Sequence, residues 1–246
     1  MILVGDIGNT ETKICLVDSR KKIIKRITIN TKKLNYSLLK RTFKFLKNKR
    51  INKSIFCSVV PHIFIRIKNF LRNELDLRCF ELKQLPIKSL LKIKVDFNQI
   101  GSDRISNSIS VMNDKDNFII LDFGTATTFD VVIKDSYIGG VIAPGLNLSL
   151  NTLIDKACLI PKIDLKKMNK VIGLNTVSAV RSGFFWGYQG LIDNIVNLIT
   201  KETKRSYKII GTGGFSHLFK KLANKKVIIN KDITIKGLIK ASNLIK

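Results

Sequence analysis

The chain is poor in acid, in histidine and in paired cysteine, and it lacks any long apolar run. Only 18 of its 246 residues are Asp or Glu, against 44 Lys and Arg. Its four cysteines, Cys15, Cys57, Cys79 and Cys158, are scattered with no CxxC pair, which argues against a disulfide scaffold or a zinc ribbon. Three lie in apolar surroundings, where a free thiol behaves as a small hydrophobe, the pattern expected of reduced cytosolic thiols. His62 and His217 lack metal-ligand spacing and read as structural. No stretch approaches the ~18 apolar residues that span a bilayer. The opening Met1-Ile2-Leu3-Val4 runs at once into Gly5-Asp6, too short for the apolar segment of a signal peptide. The expectation is a soluble, cytoplasmic protein with no membrane partner. There is no GxxxxGK[ST], so a Walker-type loop is not the phosphate cradle.

The excess of base gives a net charge of +26. Two readings compete: a footprint for nucleic acid or a membrane surface, and composition drift, since AT-rich codons encode Lys, Ile and Asn. Lys outnumbers Arg 34 to 10, whereas bidentate phosphate recognition favours Arg. The lysines are also spread out, and clusters such as Lys21-Lys22 and Lys166-Lys167 are short. Both features favour drift.

A chain of this length buries about three quarters of the surface its unfolded form exposes and needs no staples. Ile2-Leu3-Val4-Gly5-Asp6-Ile7 reads as a short apolar strand that ends in the polar turn Gly8-Asn9-Thr10-Glu11. Lys13 to Asp18 alternates as a returning strand, and strand, turn, strand is a hairpin signal. Ser19 to Thr31 adds a third strand. Leu38, Leu39, Phe43 and Leu46 give Tyr36 to Asn48 a helical period. Ile55 to Val60 is a buried strand stopped by Pro61, and a helix follows through Ile65, Phe70 and Leu71. After the polar link Asn113 to Asn117 the pattern repeats. Phe118 to Phe123 is an apolar strand, Gly124-Thr125-Ala126-Thr127-Thr128 a turn, and Phe129 to Ile133 the return. A long helix, Val177 to Thr200, then leads to the strand Tyr207 to Ile210 and the loop Gly211-Thr212-Gly213-Gly214. A duplication near half the chain reads as two similar α/β domains, 1–113 and 114–246, rather than a solenoid.

Glycine at a tight bend exposes backbone N–H groups that surround phosphate oxygens. The hydroxyls of Thr10, Thr125 and Thr127 add donors. An Asp at the strand end repels phosphate but holds a metal, or its waters, that bridges to phosphate. Asp6-x-Gly8-x-Thr10 and Asp122-x-Gly124-x-Ala126-Thr127 are two versions of this element, and two such turns facing across a cleft would clamp a phosphate tail. Gly211 to Gly214 is a third backbone loop able to approach a ligand. Ser102 is a candidate N-cap for a helix from Asp103 to Met112. Asp103 then lies in the first turn, where the helix dipole favours a carboxylate. An ionised carboxylate accepts a hydroxyl proton in phosphoryl transfer, and Arg104 suits a carboxylate on the substrate.

These segments, with Ser58-Val59-Val60-Pro61, Gly101-Ser102-Asp103-Arg104, Gly139-Gly140-x-Ile142-x-Pro144-Gly145 and Gly173-x-Asn175-Thr176, follow one order along nearly the whole chain. In that order they resemble the type III pantothenate kinase family of the actin, hexokinase and acetate kinase superfamily. The resemblance implies an α/β, duplicated actin-like (ribonuclease H-like) ATPase fold with an interdomain cleft. It implies ATP-dependent phosphorylation of pantothenate, the first step of coenzyme A biosynthesis. Asp6, Ile7, Gly8, Asn9, Thr10, Glu11, Thr12, Lys13 and Thr125 would then bind ATP with its Mg2+. Gly101, Ser102, Asp103, Arg104 and Thr176 would bind pantothenate, with Asp103 as general base. Asp122 would hold a monovalent cation, K+ or NH4+, and the protein would be a homodimer.

Many family members carry a Tyr and a Pro shortly before GxDR. Here Val95 stands at the Tyr position, the Pro is absent and the segment is one residue short, so Phe97 is expected to supply part of the aromatic wall. Gly183, Gly187 and Gly190 recur at i, i+4 and i+7 of the long helix. Glycine costs about 1 kcal/mol each in a helix interior, so a close helix contact between subunits is expected. The adjoining aromatics Phe184, Phe185, Trp186 and Tyr188 are read as core. Two rivals remain: another small-molecule kinase on the same fold, and a nucleotide-binding regulator that binds nucleic acid through the basic charge.

Overall fold

The structure, a computed structural model, describes residues 1–47, 49–222 and 225–245. It falls into two compact units, Met1–Asn113 with Asp135–Ile138 and Asp232–Lys246, and Asp114–Lys134 with Gly139–Lys231. The boundary after Asn113 coincides with the link read from the sequence. The stretch from Asp232 onward, expected in the second half, belongs to the first unit.

In the first unit, β1 (Ile2–Ile7), β2 (Glu11–Val17), β3 (Ile23–Asn30), β4 (Lys53–Ser58) and β5 (Phe80–Glu81) form a sheet of order β3-β2-β1-β4-β5. The hairpin strands pair antiparallel, while β4 and β5 add in parallel. Central β1 and β4 are buried along most of their length. Edge strand β3 carries exposed Lys25 and Arg26, and charge on an edge discourages pairing with other chains. Helix α1 (Tyr36–Phe43) is capped by Asn35, whose side chain accepts from the Leu38 N–H. It gives way to a 3-10 turn at Lys44–Leu46, so the helix is shorter than its apolar period suggests, and Asn48 lies outside the described residues. Helix α2 (Pro61–Leu75) starts with proline at its first position, where the missing N–H costs nothing. Both helices pack Leu39, Phe43, Ile63, Ile67, Phe70 and Leu71 onto Leu3, Ile7, Ile14 and Leu16 of the sheet.

Helix α3 (Ser102–Val111) begins one residue earlier than expected, with Gly101 as N-cap. Strands β7 (Asn117–Phe123), β8 (Ala126–Ile133) and β9 (Ser136–Pro144) follow. Short β6 (Lys92–Ile93) pairs in parallel with Ser136 and Tyr137 at the start of β9. The second unit adds α4 (Leu146–Lys156), α5 (Thr176–Thr203), β10 (Lys208–Gly213) and β11 (Val227–Ile229). Its strands run β9-β8-β7-β10-β11, the order of the first sheet repeated, again with an antiparallel hairpin and two parallel additions. Phe185, Ile192, Val196 and Ile199 of α5 cover Ile119, Leu121 and Phe123 of β7.

The last helix, α6 (Ile233–Ala241), returns to the first unit and packs on α3. A Cβ on Gly237 would lie 1.8 Å from the Ser106 carbonyl oxygen, so only glycine permits this approach. The Ser106 hydroxyl donates to the Thr234 carbonyl at 2.7 Å, and the Thr234 hydroxyl donates to Asn107 Oδ1 at 2.8 Å. These contacts are why the C-terminal stretch belongs with the first unit.

Candidate active site

In the first unit the hairpin between β1 and β2 closes through the Gly8 N–H, which donates to the Glu11 carbonyl at 3.0 Å. Gly8 is half-buried, and Asn9, Thr10 and Glu11 are exposed at the tip. Asp6 is the penultimate residue of β1, in register with Lys13 on β2 and Cys57 on β4. Side chains in register share a face of the sheet, so the turn carries one carboxylate, one ammonium and one thiol in a row. The Cys57 Sγ lies 3.5 Å from Asp6 Oδ1 as donor. Burial first, and then the Asp6 charge, push that thiol well above its ordinary value, so it stays protonated and neutral. Ile7 and Thr12 are buried, and the Thr12 hydroxyl meets that of Thr31 at 2.9 Å. The Thr12 side chain therefore faces inward, and what it offers a ligand is backbone.

The second cluster is tied to the first through β4. Ile7 pairs with Ser58, and the Val59 N–H donates to the Ile7 carbonyl at 3.0 Å. Ser102 Oγ accepts from the Ser58 N–H at 2.8 Å and donates to the Ser58 carbonyl at 3.1 Å. The serine expected to cap α3 instead pins the start of that helix to the strand beside the turn, because its hydroxyl finds both backbone groups of Ser58. Asp103 follows, half-buried, with Oδ1 accepting from the Arg104 N–H at 2.8 Å. A Cβ on Gly101 would lie 2.4 Å from that same oxygen, so glycine makes room for the carboxylate. Burial raises the Asp103 carboxyl above the ordinary carboxylate value, against the opposing pull of the Arg104 N–H and guanidinium.

Arg104 lies over the ring of Tyr137, 5.9 Å from its centroid, within range of cation–π attraction. Tyr137 is buried on β9 and fixed by the Lys94 N–H, which donates to its carbonyl at 2.9 Å. Sequence reasoning missed this residue and looked to Phe97 for the aromatic wall. Phe97 has Lys83 and Lys88 over its ring, 5.0 and 5.7 Å from the centroid. The available signal was the aromatic placed two residues before Gly139-Gly140.

In the second unit the equivalent turn is one residue tighter, with the Gly124 N–H donating to the Ala126 carbonyl at 3.1 Å. Asp122 is in register with Thr128 on β8 and Thr212 on β10. The row is thus Thr-Asp-Thr where the first unit has Lys-Asp-Cys. Thr125 is exposed at the tip. Its carbonyl is backed by Gly145, where a Cβ would approach to 2.0 Å. Strand β10 runs on through Gly213, where a loop was expected from Gly211; Gly213 has φ +84° and lies against the Phe123 backbone, so the strand end needs glycine there on two counts. Thr176 opens α5 and is exposed, and the cap is Asn175, paired reciprocally with Ser178. The Thr176 hydroxyl is therefore not spent on capping. Among the described residues no group of three or more His, Cys, Asp or Glu assembles into a metal cage, and no helix is long and apolar enough to cross a membrane.

Two sheets that share a five-strand order, each with an Asp near the end of its leading strand just ahead of a glycine turn, define a duplicated actin-like fold of the kind used by phosphotransferases. Solved structures agree on the fold. A Campylobacter jejuni protein described as a Baf family transcriptional activator matches with a TM-score of 0.62 at 20% identity, covering 97% of this chain and 96% of its own. A Cytophaga hutchinsonii protein described as a sugar kinase covers 100% of this chain and 99% of its own, with TM-score 0.52 and 15% identity. The family model for type III pantothenate kinase matches residues 2–198. A Pelagibacter ubique type III pantothenate kinase is 66% identical over 248 residues, with 100% of both chains covered. The chain belongs to the type III pantothenate kinase family.

Proposed function

We propose that this protein transfers the γ-phosphoryl group of ATP to the terminal hydroxyl of pantothenate, the first step of coenzyme A biosynthesis. The observation that carries the reading is the Asp103 carboxylate, for which Gly101 leaves space and which the Arg104 N–H orients. Asp103 takes the hydroxyl proton as the oxygen attacks, help worth roughly 10²–10⁴-fold. Arg104, steadied on Tyr137, pairs with the pantothenate carboxylate. Gly101, Ser102 and the Thr176 hydroxyl complete the substrate contacts. The Asp6 to Lys13 turn and Thr125 hold the phosphates through backbone N–H groups, and Lys13 offsets their charge.

A carboxylate near the end of each leading strand suits Mg2+, which binds one or two carboxylates plus substrate phosphates rather than an all-protein cage. Asp6 fits that role. Asp122, with the neutral oxygens of Thr128 and Thr212 beside it, fits a singly charged cation, K+ or NH4+. When bound, the ions neutralise charge developing on the transferred group.

We place the protein in the cytoplasm as a homodimer. Leu159, Val171, Ile172 and Leu174 expose large apolar side chains. A Cβ on Gly183, Gly187 or Gly190 meets no described atom of the chain within 4 Å. Both features suit burial against a second copy.

The test is a coupled ADP-release assay with pantothenate, with and without K+ or NH4+, on the wild type and Asp103→Asn. Pantothenate-dependent, cation-stimulated turnover that Asp103→Asn lowers by 10²-fold or more supports the reading. ATP binding without such turnover refutes it.

A further inference from the structure

The tip of the first turn is held from behind by a residue outside it. Thr31 is buried just after β3 and makes three bonds to the turn and its flank. Its N–H donates to the Thr10 carbonyl at 2.9 Å. Its hydroxyl donates to the Gly8 carbonyl at 2.7 Å and lies 2.9 Å from the Thr12 hydroxyl. A hydroxyl has one proton to give. Since the Thr31 proton goes to Gly8, the Thr12 hydroxyl is the donor to Thr31. The order is fixed: Thr12 O–H to Thr31 O–H to Gly8 C=O.

This chain sets the direction of a peptide group. The Gly8 carbonyl and the Asn9 N–H belong to one planar trans unit and point in opposite directions. Drawing the carbonyl inward onto Thr31 turns the Asn9 N–H outward, at the exposed tip. The Gly8 N–H is already committed to Glu11, so Gly8 has little freedom left. In the second unit the turn is backed differently, with Gly145 against the Thr125 carbonyl.

We propose that Thr31 is a positioning residue for nucleotide binding: its hydroxyl, fed by Thr12, locks the Gly8–Asn9 peptide so that the Asn9 N–H faces the phosphates of ATP. This rests on the reading of the turn as a phosphate site. A free turn would have to be ordered by each incoming nucleotide, whereas the locked turn is ready for it.

The experiment measures KM for ATP, KM for pantothenate and kcat for Thr31→Val, Thr31→Ser and Gly8→Val in the full-length enzyme, with the rise in Tm on adding ADP. Thr31→Val keeps the shape and the Thr10 bond but removes the relay. Buried polar groups left without partners predict a rise in ATP KM of about tenfold. Pantothenate KM is expected to change less than about twofold, since that interaction is untouched. Thr31→Ser is expected to restore ATP KM, and the ADP-induced rise in Tm is expected to shrink in Thr31→Val but not in Thr31→Ser. An unchanged ATP KM in Thr31→Val, with Gly8→Val raising it, overturns the lock and leaves the phosphate site standing. If neither variant alters ATP KM, the phosphate reading falls and the lock with it. Should Thr31→Val fail to fold, Thr12→Val removes only the donor at the head of the relay. A smaller rise in ATP KM is then expected, and none overturns the proposal.

Discussion

Replacing Gly101 with alanine isolates how much catalysis depends on the seating of one carboxylate. Gly101 has φ −63° and ψ 143°, a conformation open to alanine, so the backbone carries no strain from the change. The added Cβ would lie 2.4 Å from Asp103 Oδ1, against an ordinary carbon–oxygen contact of about 3.3 Å. The carboxylate has to retreat by about 1 Å, and its 2.8 Å bond from the Arg104 N–H is lost or stretched. A misplacement of that size costs on the order of 10²-fold in rate, or about 2.7 kcal/mol of barrier. The ADP-release assay should show kcat down by about that factor with ATP KM little changed, and circular dichroism a nearly unchanged Tm. Because Gly101 acts through Asp103, Gly101→Ala should add nothing to Asp103→Asn in the double variant. A folded Gly101→Ala enzyme with kcat within about twofold of wild type, against the ~10² expected, refutes the reasoning, as does full additivity.

Burial raises the Asp103 carboxyl above its ordinary value, and a general base works only when ionised. Turnover should therefore fall on acidification at a higher pH than a free aspartate, about 3.9, would give, and a pH–kcat profile reads this directly. The folded state holds this proton more tightly than the unfolded chain, so the group's contribution to stability declines as pH rises from the ordinary value through the raised one. Asp103→Asn should for this reason melt no lower than wild type at neutral pH, which calorimetry checks. Gly237→Ala gains about 0.5–1 kcal/mol of helix propensity. It also drives a methyl to 1.8 Å from the Ser106 carbonyl oxygen, backbone that cannot turn aside. Overpacking at about 1–3 kcal/mol or more wins, and the urea midpoint should fall. Gly187→Leu should convert the proposed dimer to monomer on a sizing column, while an unchanged elution volume removes that face from the subunit contact.

Much of the fold was legible in the sequence because its signals are local. Asp6 and Asp122 each end an apolar run, and each is followed at once by a glycine turn and a returning strand, so the hairpins and their duplication need no tertiary information. Asp103 in the first turn of a helix after glycine is likewise a matter of adjacent residues. What the sequence left open lies in contacts between distant segments. Ser102 looked like a cap, but Ser58 offers its hydroxyl both a donor and an acceptor across 44 residues. Tyr137 reaches Arg104 only because β9 pairs with β6. Thr31 reads as the end of an edge strand until its hydroxyl is found on Gly8. Helix α6 carries no mark of the unit it joins, because that choice rests on Gly237 fitting against Ser106. Periodicity and turn chemistry act between neighbours and are written in the order of residues. The partner of a buried hydroxyl, or the groove that admits a glycine, is selected among all segments the folded chain brings together, and only the tertiary structure records that selection.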